Sequence, residues 1–394
     1  MTAAMPGSQT SLREANQHRV LRAVRTAGSL TQAEIARATG LSAATVSNIV
    51  RELRDAGTVV VTPTSSGGRR AQSVSLSRAA GVAVAVDFGH SHLRVAVCDL
   101  AHNVLAEEAI PLDVDQSADE GLSQAERLVE KLLEEAQSTR QDVVGIGLGL
   151  PGPIDAVTGA VGSSTILPGW VGVSPKREMA ARVGLPVHVD NDANLGALGE
   201  LVWGAGQGLT DLAYLKASTG VGAGLVIGGR IYRGPSGTAG EIGHITIDES
   251  GRVCRCGNRG CLETFVGGPF LLELLRSSHG EHLTLRQVIA LAKEGDTGCA
   301  RVIADAGRHI GVGVANLCNL LNPQRIIVGG DLARAGDLLL EPLRETVNRY
   351  AIPSAARSVT VVTGVLGDRA EVLGALALVL HETEAAAGAI PAPR

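Results

Sequence analysis

Aromatic residues are scarce: three Phe, three Tyr and two Trp in 394 residues, 2% of the chain. Apolar residues still make up 45%, and there are 50 glycines. That composition suits an α/β protein with aliphatic strands and Gly-rich turns. No apolar run approaches the roughly 18 residues a membrane span needs, which excludes membrane insertion. The start, MTAAMPGSQTSLREANQ, lacks the basic stretch and apolar core of a signal peptide, so a cytoplasmic protein is expected. Cysteines number only six, but Cys254, Cys256 and Cys261 fall within eight positions. In a long cytosolic chain such clustering points to a metal rather than a disulfide framework. Cys98, Cys299 and Cys318 lie in apolar segments and read as core residues. The length implies two or three domains.

Charge is unevenly spread. Residues 1–78 contain no lysine, ten arginines and four acids, a net +6, which leaves −11 for the rest of a chain whose total is −5. A basic head on an acidic body is the electrostatic footprint of a DNA-binding domain joined to something else.

The head spells out how it folds. Ser11 to Thr26 carries Leu12, Val20, Leu21 and Val24 on one side of a helix that Gly28 ends. In TQAEIARATGLSAATVSNIVRELRDAG, Thr31 and Glu34 form a capping box that starts a second helix. Gly40 makes the turn, Leu41 plugs the inter-helix space, and Ser42 caps a third helix with apolar positions Val46, Ile49, Val50 and Leu53. Ser42, Ala43, Thr45, Ser47, Asn48 and Arg51 then face outward. Small outer residues let a helix sink into the major groove. Asn48 and Arg51 reach base edges there, and the hydroxyls of Ser42, Thr45 and Ser47 serve phosphates. VVVTPTSSGGRRAQSVSL reads as a two-stranded wing with Arg69 and Arg70 at its tip, suited to the minor groove or the backbone. A winged helix that only binds protein is the bland alternative, and the +6 charge argues against it.

In the body, GVAVAVDFGHSHLRVAVCDL reads as a hairpin with Asp87 and Gly89 at its turn. A strand near 103–110, an amphipathic helix over 119–138 and a buried strand in VVGIGLGLPGPID follow, which predicts a mixed α/β sheet. A second set begins near Asp211 with LAYLKASTGVGAGLVIGG and later RIIVGGDL. Two α/β lobes imply a ligand cleft between them.

EIGHITIDESGRVCRCGNRGCLETF is the most specific stretch. His244 is followed after nine residues by Cys254, then Cys256, then after four more Cys261. One imidazole and three thiolates complete a tetrahedral zinc shell with no open position, which implies a structural role. Buried free cysteines are the alternative; the clustering with glycines and a histidine disfavours it.

With GLPGPID (149–155), VDND (189–192), EIGH (241–244) and CRCGNRGCLE (254–263), the chain resembles the ROK family (repressor, open reading frame, kinase), in its helix-turn-helix-bearing repressor branch. The resemblance runs from Asn16 to about Leu380. It implies a winged helix-turn-helix at 1–78 and a two-lobed actin-like body with a structural zinc. The lobes span 79–198 and 199–385, the final helix packs back on the first, and 386–394 form a disordered tail. It also implies sugar contacts from Gly152, Thr165, Asn191, Asp192, Glu241, His244 and Glu263, with His244 serving zinc and sugar alike. In kinases of the family the aspartate matching Asp192 is the catalytic base.

The phosphate loops depart from that pattern. His90 stands where kinases have the second glycine of DxGGT, Ser218 where they have the first residue of Gly-Thr-Gly, and Asp331 in the adenosine-side loop. Ile166 replaces an asparagine before LPGW. ATP is therefore not expected as a ligand. The sequence predicts a repressor on a palindromic double-stranded operator, acting as a homodimer or homotetramer and released by a sugar. An ATP-dependent sugar kinase, or a repressor governed by a protein partner, are the alternatives.

Overall fold

The computed structural model describes residues 9–66, 69–77, 80–155, 158–162 and 166–388. The head comprises α1 (Gln9–Ala27), β1 (Ser29–Thr31), α2 (Gln32–Thr39), α3 (Ala43–Asp55), β2 (Val59–Ser66) and β3 (Arg69–Leu76). The capping box is formed: the Thr31 hydroxyl accepts from Glu34 N, and the Glu34 carboxylate accepts from Thr31 N at 2.8 Å. Ser42 caps α3, and Val46, Ile49, Val50 and Leu53 are its buried positions. Strand β1 was not expected. It pairs antiparallel with β3, completing a sheet of order β1-β3-β2. Three residues are too few to show a period in sequence.

The body's first sheet uses β4 (Val82–Gly89), β5 (His92–Asp99), β6 (Val104–Pro111), then, after α4 (Ala118–Glu135), β7 (Val143–Leu150), and, after α5 (Pro175–Val183), β8 (Val187–Asn191). Helix α6 (Asp192–Trp203) leads to the second sheet, with β9 (Leu212–Ala217), β10 (Val221–Ile227) and β11 (Arg230–Ile231). Helices α7 (Glu263–Val266), α8 (Gly268–His279), α9 (Leu285–Lys293) and α10 (Thr297–Leu321) precede β12 (Arg325–Gly329). Then come α11 (Asp337–Tyr350), α12 (Pro353–Ser358), β13 (Thr360–Thr363) and α13 (Ala370–Gly388). The sheet orders are β6-β5-β4-β7-β8 and β11-β10-β9-β12-β13. Each has an antiparallel three-strand meander continued by two parallel strands, so the lobes repeat one topology.

Strand β4 shows how the layers are assigned. Val82, Val84, Val86 and Phe88 face one core with α4, whereas Ala83 and Ala85 face another with α6 and α13. Large side chains fill the wide gap, and small ones admit the close-lying α13, which packs on β4 and β7. Helices α6 and α13 cross almost backbone to backbone. A Cβ at Gly374 would stand 1.8 Å from the Leu195 carbonyl oxygen, so only glycine fits there. The lobe division expected at 198/199 falls inside α6, whose helical run continues to Trp203. The tail expected from 386 overlaps the end of α13, and 389–394 lie outside the described residues.

Head and body share one buried cluster. It runs from Val20, Val24 and Val46 through Ala83 and Leu195 to Leu376. Burial at the joint makes the head an extension of the body's core rather than a bead on a tether.

Candidate functional site

On the head, Ser42, Ser47, Asn48 and Arg51 are exposed on α3, and Thr45 is half-buried. The Ser42 hydroxyl accepts from Thr45 N and hydrogen-bonds Thr45 Oγ1 at 2.8 Å. Arg51 donates to the Asn48 carboxamide oxygen, so the two base-edge candidates are held together. Arg69 and Arg70 open β3 at the wing tip, opposite Ser66 and Ser65.

Beyond β11, the chain folds His244, Cys254, Cys256 and Cys261 into one cluster, their donor atoms within 4.8 Å of one another. Cys254 Sγ lies 3.6 Å from His244 Nδ1, and the Cys256 and Cys261 sulfurs are 3.6 Å apart. Bonds of about 2.0–2.3 Å to a tetrahedral ion give donor separations of roughly 3.5–3.8 Å, so the donor set fits zinc. A tight fold makes the cluster: Gly260 has φ +60°, and a Cβ there would meet the Asp248 carbonyl oxygen at 1.5 Å. Protein groups alone push the Cys261 thiol up to about 12, burial first and then Cys256 and Cys254. Hydrogen bonds within the cluster shift Cys256 the other way, and a bound cation would hold Cys261 as its thiolate too.

Between the lobes lies a cleft of about 500 Å³, lined by Gly152, Asn191, Asp192, Glu241, His244 and Glu263 among others. Thr165 lies outside the described residues. Asn191 works structurally as well: its Oδ1 caps α6 through Ala193 N and Asn194 N, and its Nδ2 donates to Gly152 O at 2.9 Å. The Glu263 carboxylate accepts from Arg255 at 2.8 and 2.9 Å and from Val221 N at 3.2 Å. His244 turns Nδ1 to the cysteines and Nε2 towards Glu241, 3.8 Å away. A cation on Nδ1 would leave Nε2 to the cleft. Burial first, then Asp192 and Glu263, raises the Glu241 carboxyl above the usual range. Carboxylates, a carboxamide and an imidazole in fixed places match a ligand rich in hydroxyls.

Lys216 was not anticipated, although a single lysine within the apolar run LAYLKA was a visible signal. Its ammonium donates to Asp192 Oδ2 at 2.9 Å and lies 3.2 Å from Glu371 Oε1. Burial opposes its charge, but Asp192, Glu371 and Asp87 outweigh burial and hold it protonated. Glu371 was missed because its partners, Lys216 and Tyr214, lie more than 150 residues away; Arg255 was missed although its partner Glu263 is only eight residues on, within the same motif.

On the expected nucleotide side, protein groups bind one another. Ser218 Oγ donates to Asp331 Oδ2 at 2.5 Å, and Arg286 bridges Asp331 and Asp368 at 3.1 Å each. His90 Nδ1 is 2.7 Å from Asp115 Oδ1.

The joint to the head was also missed. Gly28 is buried against the β5–β6 turn, where a Cβ would lie 3.0 Å from Ala101 O and 3.1 Å from the His102 ring. His102 in turn meets Trp203 edge-on, with centroids 5.1 Å apart.

These features define a helix-turn-helix head on a two-lobed, actin-like sugar-kinase-type fold. Residues 83–382 match the ROK family and residues 13–70 the MarR family. The chain belongs to the ROK family. It is 32% identical to the xylose repressor of Caldicellulosiruptor bescii over 391 residues, covering 95% of this chain and 98% of the relative. It is 30% identical to the DNA-binding transcriptional dual regulator NagC of Escherichia coli, covering 95% of each. A crystal structure of a ROK family transcriptional regulator, a homologue of the E. coli MLC protein, superposes with a TM-score of 0.76 at 25% identity, covering 95% of this chain and 97% of that one. Among the described residues no helix is long and apolar enough to cross a membrane.

Proposed function

We propose that the protein is a sugar-responsive transcriptional repressor of carbohydrate-metabolism genes, with operator DNA on α3 and the wing and a sugar in the interlobe cleft. The observation that carries this reading is α6. Its first turn holds Asn191 and Asp192 in the cleft, and its last residue, Trp203, touches the His102 turn under the head. Twelve helical residues span about 18 Å as one rod. A sugar that engages Asp192 shifts the rod, and the rod shifts the head. The related repressors named for xylose, and NagC, support a sugar effector and operator DNA.

His244, Cys254, Cys256 and Cys261 would hold a structural zinc, which supplies the charge that keeps three thiolates together. The chain's own part is to present His244 Nε2 and Glu241 to the sugar. A homodimer or homotetramer sets two recognition helices about 34–36 Å apart, so a small rotation loses the second groove. Kinase turnover is disfavoured by two contacts: Lys216 on the Asp192 carboxylate, and Ser218 closed onto Asp331.

The test is an operator-binding titration with xylose, glucose and N-acetylglucosamine, beside a coupled ADP-release assay. One sugar should weaken operator binding, and none should yield ADP. A sugar panel with no effect on DNA affinity would refute the switch; sustained ADP release abolished by Asp192→Asn would restore the kinase reading.

A further inference from the structure

A second group of metal-type donors stands apart from the four-ligand cluster. His279 ends α8, Asp296 precedes α10 as its cap, and Cys299 lies in the first turn of α10. Their donor atoms lie within 4.8 Å of one another. His279 Nε2 is 3.1 Å from Asp296 Oδ2 and 3.8 Å from Cys299 Sγ. A tetrahedral zinc ion with bonds of about 2.0–2.3 Å separates its nitrogen and oxygen ligands by roughly 3.4 Å and its nitrogen and sulfur by roughly 3.6 Å. Both distances are close to those edges.

The outer contacts favour a ligand role. His279 Nδ1 is 2.8 Å from Ser278 Oγ. Ser278 Oγ donates to Leu275 O at 3.2 Å, which leaves it to accept from Nδ1–H; that tautomer has its lone pair on Nε2, facing the carboxylate and the thiol. Asp296 Oδ1 is occupied by Cys299 N at 2.8 Å, which aims Oδ2 at the histidine. A catalytic Cys-His-Asp relay is excluded by the same geometry, because both partners address the same ring nitrogen and a relay needs one on each. Cys299 is fully buried while His279 and Asp296 are half-buried, so a bound ion would have a protein side and a solvent side.

We propose that His279 Nε2, Asp296 Oδ2 and Cys299 Sγ form a second site for a borderline divalent transition metal of the zinc and cobalt type, with water as the fourth ligand. Cys299 loses its thiol proton to solvent on binding. One nitrogen, one oxygen and one sulfur suit such an ion better than magnesium or calcium, which take oxygen alone. The ion would staple the end of α8 to the start of α10.

The test is Co2+ titration of the full-length, metal-stripped protein, followed by absorbance and competed with Zn2+. Wild type should bind two equivalents. His279→Gln and Cys299→Ser should each bind one and keep the strong thiolate band of the four-ligand cluster. Cys256→Ser should lose that band and keep a weaker one. His279→Gln changes a half-exposed helix end, so it remains informative if Cys299→Ser misfolds. A single equivalent in wild type overturns the site, and so does a second equivalent that both variants leave intact, which is adventitious binding.

Discussion

The His102 ring meets the Trp203 ring edge-on at 5.1 Å and 69°, and this contact joins the cleft helix to the head. Trp203 belongs to the rod that starts at Asp192; His102 belongs to the turn on which Gly28 rests. The pair therefore lies between the two ends whose communication a sugar-released repressor requires. An edge-to-face pair contributes about 0.5–1.5 kcal/mol beyond the area it buries. That is a large share of a typical allosteric coupling.

Trp203→Ala should uncouple the two ends. Sugar still binds, because Trp203 is remote from the cleft. The sugar-induced fall in operator affinity, expected at about 5–150-fold, shrinks to a few-fold. Operator binding measured with and without sugar reads this directly, and a variant with the full response would remove α6 from the coupling.

Lys216→Met should be costly. It leaves Asp192 and Glu371 without their shared cation, and breaking a buried pair costs about 3–5 kcal/mol. The urea midpoint should fall accordingly. Adding Asp192→Asn should recover part of the loss, since one stranded charge is gone. Strictly additive losses would mean that the pair is not energetically coupled.

Local signals made most of the head legible. Thr31 with Glu34, Ser42 and the positions 46, 49, 50 and 53 are neighbours in sequence and in structure. That His244, Cys254, Cys256 and Cys261 gather into one donor cluster was legible for the same reason, since all four lie in one short stretch. What escaped was non-local. Lys216 meets Asp192 across the cleft and Glu371 from the far end of the chain, so spacing gives no hint of either. The alternation of valine and alanine in β4 was readable as a strand, but that its alanines mark the floor for α13 follows only once α13 is placed. The head–body joint rests on Gly28, His102 and Trp203, three residues with no motif among them.

Metal removal should act on the sugar before it acts on the fold. Cys256 is exposed, so Cys256→Ser disturbs little packing. Its metal content should fall, His244 should lose its fixed ring, and sugar affinity should drop roughly tenfold or more, as for a lost hydrogen bond to a charged group. Metal analysis with calorimetric sugar titration tests this. Unchanged sugar affinity in the metal-depleted variant would separate the zinc from the sugar site.

The two DNA elements should fail differently. Arg51 is exposed on α3 beside Asn48; as a reader of a base edge its loss in Arg51→Ala should cost about 1–3 kcal/mol on the operator and relax preference at one base pair. Arg69 and Arg70 sit at the wing tip, where a charge serves phosphates. Removing both should weaken operator and random DNA alike and reduce the slope of log affinity against log salt by about 2. Operator affinities across a salt series, with a set of single-base operator variants, distinguish the two. A double wing variant with the wild-type salt slope would take the wing off the backbone, and an Arg51→Ala protein with undiminished base preference would take Arg51 out of the groove.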